Sequence, residues 1–372
     1  MRRRPAPRRL HGVLAARTGR AGRVSAHSTA HRTAHPSAAR TARRTAVVAA
    51  SAAVALCAVI VLSLTVGARD IALVDVWRAL VAPDAANPDH IVVLTQRIPR
   101  TVIGVAAGAA LALAGTVMQG LTRNPFADPG LLGVNAGASV AVLAAITLFG
   151  LVTPTGFIWF AFLGAAAAAV VVALIGGRGP NGGDPAKLAL TGAAVTAGLM
   201  AVTFLILTTD IHALDVYRYW SVGGLTARGL DAVALVLPAL AVGAILALAS
   251  ARGLDLIALG AATATGLGHD VTRSRALGII ATILLCGGAT AIAGPIVFLG
   301  LLVPHVLRAI VGGGYARLLW IGMPVGGALL LLADVLGRIV ALPGEVQAGI
   351  VVAFLGAPML IALVLQPRRV TL

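Results

Sequence analysis

The chain has 372 residues, 59% of them hydrophobic and 11% charged, with a mean hydropathy of +0.95 and a formal net charge of +16. Soluble domains carry roughly 25% charged residues, so a water-soluble globular protein is excluded, and the recurring runs of eighteen or more nearly uncharged residues are what membrane-spanning helices require. Aromatic residues are only 4% while Gly numbers 44; small residues let membrane helices approach closely, and the uniform runs speak against a β-barrel, which needs short alternating segments.

Residues 1–45 hold twelve Arg and no acid, with little apolar bulk. They are expected to form a disordered cytoplasmic arm that touches anionic lipid headgroups. Without interleaved aromatics or a fold signature, the charge does not argue for nucleic acid. His27, His31 and His35 recur every four residues in this arm but read as solvated rather than as a metal site. No signal peptide is expected, because the first apolar run begins beyond residue 45 and is too long for one.

Ten apolar windows follow, at 46–66, 98–120, 129–149, 156–175, 187–208, 231–250, 275–293, 296–312, 318–340 and 345–365. The fold class is therefore an all-α polytopic membrane protein of about ten transmembrane helices. An even count puts both termini on one side. With the arm inside, the inner segments hold 22 Lys or Arg and only four acids, Asp128, Asp184, Asp255 and Asp270. That imbalance predicts a multi-pass protein of the cell membrane with both termini cytoplasmic, a permease body over 46–366 and a short tail over 367–372.

Polar residues interrupt this pattern at a few places. "RIPR" puts Arg97 and Arg100 at the outer mouth of the second span, where they would meet acidic lipids, anionic solute or the acidic side chains of a partner. In "GTVMQGLTRNPFADPGLLGVNAG", Asn124 and Pro125 stop the second span beside Arg123, and Asp128-Pro129-Gly130 read as a capped helix start. Gln119, an amide near the end of a membrane helix, wants a polar partner; helix packing and a place on a transport path are equally open. The longest internal loop, 251–274, carries Leu254, Leu256, Ile257 and Leu259 close together. It reads as one or two short helices outside the bilayer, packed under the bundle or docking another protein. His305 and Arg308 lie near the inner end of a span, where both would snorkel to the interface. Asp334 is the one acid well inside a predicted span, and Arg338 and Glu345 flank the last outer turn. Cys57 and Cys286 read as small buried hydrophobes.

No P-loop is present: Lys187, the single lysine, is followed by Leu188 without the required glycines. Neither a haem motif nor a zinc cluster is found, and no catalytic residue, metal ligand or cofactor is expected. The residues alone support a transport-type bundle with an internal platform of open purpose. An ion-coupled secondary transporter hinging on Asp334 is the alternative.

Three segments, in order and spacing, then carry a resemblance: "RIPRTVIGVAAGAALALAGTVMQGLTRNPFADPGLLGVNAGA", "AGPIVFLGLLVPHVLRAIVG" and "GEVQAGIVVAFLGAPMLIALV". The chain resembles, over about 46–366, the FecCD/BtuC-type permeases, membrane subunits of ATP-driven importers of ferric siderophores, haem and vitamin B12. The resemblance implies a BtuC-like bundle paired with a second permease subunit, with a path along their interface. It also implies two cytosolic ATP-binding subunits that hydrolyse the nucleotide and an extracytoplasmic substrate-binding protein. Leu254, Leu256, Ile257 and Leu259 would then couple to the ATPase, and Arg97, Arg100 and Arg338 would dock the binding protein. Gln119, Arg123, Asn124, Pro125, His305 and Arg308 would be path or structural signature positions. Segment 176–187 falls where the family has a cytoplasmic gate turn. Ferric siderophore is the expected cargo, with haem and cobalamin as alternatives. Two departures stand out: the basic arm, and "GEVQAG" where the family more often shows acidic-Leu-Pro-x-Gly.

Overall fold

The computed structural model describes residues 38–178, 185–226 and 228–365, and no strand occurs among them. The expectations for the arm up to residue 37, with its three histidines, for half of the gate turn, 179–184, and for the tail lie outside the described residues.

Helix α1 spans Ala38–Thr65, α2 Leu73–Val81 and α3 Pro88–Val92; a π-helical turn, Val93–Arg97, leads into α4, Ile98–Thr122. After a 3-10 turn at Pro129–Leu132 come α5 (Val134–Phe149), α6 (Pro154–Gly177), α7 (Pro185–Thr209), α8 (Ile211–Ser221) and α9 (Leu230–Ala249). Two short helices, α10 (Ala251–Ala258) and α11 (Ala261–Gly266), precede α12 (Val271–Ala293), α13 (Leu299–Val311), α14 (Tyr315–Val340) and α15 (Ala348–Leu365). Among the described residues seven helices are long and apolar enough to cross a membrane, and three shorter apolar ones, α5, α13 and α15, take the remaining places of the ten expected spans. Helix α1 begins eight residues ahead of the expected 46, so the last part of the arm, with Arg40, Arg43 and Arg44, continues the first span.

Helix α4 is the axis of the bundle. Its apolar window is 78% buried, against 6% for α7, so α4 meets protein on nearly every side while α7 faces outward. Helices α12, α13 and α14 pack on α4, α1 on α14, α9 on α12, and α6 on α5 and α12. Close crossings use glycine on both sides: a Cβ on Gly108 would lie 2.3 Å from the Gly326 carbonyl oxygen, and one on Gly115 only 1.9 Å from that of Gly300. Between helices that lipid does not squeeze together, such backbone contact supplies the dispersion attraction.

Two spans are broken. The corner after α4 starts with Arg123 in the left-handed region, φ 49°, and α5 begins at Val134 rather than at 129. Asp128 caps the 3-10 turn, accepting from the Gly130 N–H at 2.7 Å. The corner climbs back into the bundle. Near the end of α4, Leu121 meets Gly278, while Asn135 reaches Thr290 at 3.1 Å. Those two contacts are twelve residues apart on α12, roughly 18 Å at 1.5 Å per residue. Irregular backbone at such depth survives only when protein covers it, and α4, α5, α6 and α7 all contact the 3-10 turn. The second break, Gly294–Phe298 ahead of α13, includes Phe298 at φ 68°. There the Gly224 N–H donates to the Ala293 carbonyl at 2.8 Å, the Arg228 guanidinium donates to Ile292 O, and the Gly349 N–H donates to Gly223 O at 3.0 Å.

Candidate functional site: two ends of one bundle

At the end that carries α8, a charged cluster sits inside the protein. Asp334, 1% exposed, accepts from Arg100 Nε at 3.0 and 2.8 Å, from Arg100 Nη2 at 2.8 Å, and from Nε of Arg338 at 3.0 Å and its Nη2. Arg100 Nη1 reaches Glu345 at 2.8 Å. Arg338 Nη1 donates to the carbonyls of Ser63 at 2.8 Å and Val66 at 3.1 Å, tying in α1. Ser63 Oγ in turn bonds Thr101 Oγ1 at 2.8 Å. Two guanidinium groups thus face two carboxylates, a balance that makes burial of four charges tolerable. Arg97 donates to the main-chain carbonyls of Leu64, at 2.8 Å, and Arg69.

The expectation that Arg97, Arg100 and Arg338 stand exposed for docking is corrected here. They are 6%, 9% and 2% exposed, with donors turned into the subunit. The exposed cations at this end are Arg69, Arg78 and Arg218, beside Asp89, Asp75 and Asp215. Asp334, read from sequence as a lone acid, is instead an acceptor shared by Arg100 and Arg338. One partner, Arg338, is a single turn further along α14, while the other, Arg100, lies 234 positions away. An acid inside a span with two arginines at span mouths on the same side was a signal of pairing that the sequence reading did not use.

Arg228 escaped the sequence reading altogether. It is half-buried, donates to Gly224 O at 3.2 Å and to Ile292 O, and so closes the carboxyl end of α12. Burial brings its guanidinium down to about 10, which leaves it cationic at neutral pH.

At the opposite end, α10 and α11 form the expected platform. Leu254 and Ile257 are fully buried against the bundle, Leu256 is half-buried and Leu259 is 63% exposed. Of the four expected coupling residues, the first and third therefore anchor the platform, and the outward surface is Leu259 together with Leu267, 65% exposed. The period of the helix decides this, because residues three apart share a face. Asp255 Oδ1 accepts from the Tyr315 N–H at 3.0 Å, a cap on α14 that sequence reasoning missed. Arg308 stacks on Tyr315, with Cζ 5.4 Å from the ring centroid and Nη2 3.4 Å from the hydroxyl, rather than snorkelling free. His305 is half-buried beside it on α13.

Gln119 is wholly buried, its Nε2 3.5 Å from Leu301 O and its Oε1 without a partner. Its position binds α4 to α13. Arg123 and Asn124 are exposed, Pro125 half-buried, and Asn124 Oδ1 accepts from the Phe126 N–H at 2.9 Å. No group of three potential metal ligands occurs among the described residues; Cys286 is buried, whereas Cys57 is exposed.

A bundle of about ten membrane helices, broken at two spans and carrying a helical platform at one end, is the build of a transport subunit. The FecCD transport family model matches residues 55–366, and the chain belongs to that family. It is 42% identical over 308 residues to the ferric enterobactin transport system permease FepD of Escherichia coli, covering 83% of this chain and 92% of that one. It is 39% identical to the iron(III)-citrate permease YfmD of Bacillus subtilis, over 83% and 91% of the two chains. A cobalamin import permease, BtuC of Halobacterium salinarum, is 39% identical over 76% and 75%. Among solved structures, an ABC transporter described as of metal-chelate type, in an inward-facing conformation, superposes with a TM-score of 0.74 at 25% identity, over 87% of this chain and 99% of that one.

Proposed function

We propose that this chain is the membrane permease of a binding-protein-dependent, ATP-driven importer of ferric chelates of the siderophore class. The observation that carries the reading is the platform. Helices α10 and α11 are held to the bundle by Leu254, Ile257 and Ala264, yet leave Leu259 and Leu267 uncovered. Exposed apolar side chains on a cytoplasmic platform suit a docking surface, and a separate ATPase fits, since no nucleotide motif occurs in the sequence. Asp255 then links that partner's movement to α14, a single helix of 26 residues that ends beside the Asp334 cluster.

In this reading the α10 end is cytoplasmic, with both termini, and carries two ATPase subunits. The α8 end faces out and meets a substrate-binding protein through surface charges such as Arg69, Arg78 and Arg218, above the buried arginines. The outward face of α7 meets a second permease subunit, and the path runs between them. The chain performs no covalent chemistry. Nucleotide-driven closure of the ATPases shifts the population between inward and outward states, which requires contacts that differ between the two. Siderophore iron is preferred to cobalamin as cargo because FepD and YfmD match over more of their length than the cobalamin permease.

The test is the double replacement Leu259→Asp, Leu267→Asp in cells that carry the cognate partners. Membrane abundance should stay unchanged, because both side chains are exposed, while radio-iron uptake from the chelate falls at least about tenfold, as loss of an apolar anchor at an interface implies. Undiminished uptake would refute the coupling assignment.

A further inference from the structure

Beside the α8 end lie two adjoining cavities that the importer reading does not use. One, of about 450 Å³, is lined by Phe157, Tyr219, Trp220, Asp215 and Gln347 among others. The second, of about 440 Å³, is lined by Thr95, Gln96, Arg100 and Glu345. Thr226 and Arg228 line both.

Their charges do not balance. Asp215 is 3.4 Å from Arg218, and Glu345 is 2.8 Å from Arg100, so each bordering carboxylate already has its own arginine. Arg228 has no carboxylate within 4.0 Å among the described residues and donates only to carbonyls. A half-buried cation without a counter-ion, on the wall of a cavity, favours an anion there.

The aromatic wall is equally specific. Trp220, 3% exposed, stands edge-on to Phe157, centroids 6.5 Å apart at 84°, and beside Tyr217 at 5.9 Å. Its indole N–H is buried without an acceptor, an arrangement that costs free energy until one arrives. Tyr219 is 67% exposed, with the Arg218 guanidinium 4.9 Å from its ring centroid. Gln347 adds an amide to the lining of the same cavity.

We propose that these cavities form a reception site for an anionic ferric chelate with aromatic arms. Arg228 meets its charge, the exposed ring of Tyr219 stacks on an aromatic arm with the packed Phe157–Trp220 pair as the floor beneath it, and the Trp220 N–H and Gln347 amide meet oxygens of the chelate. The proposal rests on the importer reading and narrows its cargo: a ring-free chelate such as ferric citrate satisfies the cation but not the aromatic wall.

The purified permease in lipid nanodiscs is titrated with ferric dihydroxybenzoate, with ferric citrate and a ferric trihydroxamate as ring-free controls, and tryptophan fluorescence is read. Saturable quenching is expected for the aromatic chelate, with at least about tenfold weaker binding of the controls and in Arg228→Gln, the size expected for a lost charge-assisted hydrogen bond. Arg228→Lys, which keeps the charge, should stay within about threefold of the parent. Because Arg228 also closes α12, Trp220→Phe and Gln347→Pro give independent readings, and both should weaken binding. Absence of saturable binding, equal affinity for citrate, or unchanged affinity in Arg228→Gln and Trp220→Phe would overturn the site. ATP-driven uptake by the assembled transporter is measured in parallel. If no ferric chelate is moved by the parent, the importer reading fails; if uptake proceeds and the variants bind as the parent does, only the site fails.

Discussion

Replacing Asp334 with Asn removes one charge from the inside of the bundle and nothing from its volume. In the parent, that carboxylate accepts from both nitrogens of Arg100 that face it and from two of Arg338. The amide keeps one oxygen to accept and turns an NH2 toward guanidinium donors. Two cations are then left with Glu345 alone, which touches only Arg100. Breaking a buried ion pair by removing one partner costs about 3–5 kcal/mol, a large share of a total stability of about 5–15 kcal/mol. The assay is reversible unfolding in mixed micelles with increasing SDS, followed by tryptophan fluorescence. Asp334→Asn should lose about 3–5 kcal/mol. The quadruple variant Arg100→Met, Asp334→Leu, Arg338→Met, Glu345→Gln, which removes all four charges together, should recover most of it, since apolar replacement of a whole buried set is often neutral or better. Uptake by Asp334→Asn should fall only in proportion to folded protein in the membrane. A stability within about 0.5 kcal/mol of the parent would refute the account, because surface-like substitutions behave that way. Normal folding with abolished uptake would instead revive the ion-coupled reading.

Two further outcomes follow from the geometry. Gly115→Val places a branched side chain where even a Cβ would lie 1.9 Å from Gly300 O; α4 and α13 must separate, and folded yield should drop by the equivalent of about 1–3 kcal/mol or more, whereas Gly198→Ala, which meets nothing within 4 Å, should leave it unchanged. The Asp210 carboxyl is held below the usual carboxylate range, chiefly by the Ala213 N–H that it caps at 3.0 Å. A depressed acid stabilises above its unfolded value near pH 4 and loses that contribution as pH falls through the lowered one. Amide exchange in α8 should therefore quicken, relative to α9, at acid pH, and Asp210→Ala should show the fast behaviour already at neutral pH.

Much of the architecture was written locally. Length and hydropathy of single segments suffice to find a span, and the ten expected windows recur as ten helices because each satisfies its own backbone hydrogen bonds in lipid. Polar corners were legible for the same reason: Asn124-Pro125 stops α4 and Asp128 caps the turn that follows. What hydropathy did not show was that the corner re-enters the bundle, since depth is set by Thr290 and Gly300 from a distant segment. Of the platform leucines, the sequence marked a cluster but not its facing. Once α10 is docked, Leu254 and Ile257 go inward and Leu259 outward.

The amino-acid sequence by itself determined that this protein lives in a membrane, how many times its apolar segments recur, where they are interrupted and to which family of transport subunits their three signature segments belong, since composition and short-range pattern carry all of that. The tertiary structure alone decided that Arg100 answers Asp334 across 234 positions, that the arginines at the mouth are buried rather than offered, and that Arg228 has no counter-ion among the described residues. Charge pairing acts through space over a few ångströms, and only the packed bundle says which residues come that close.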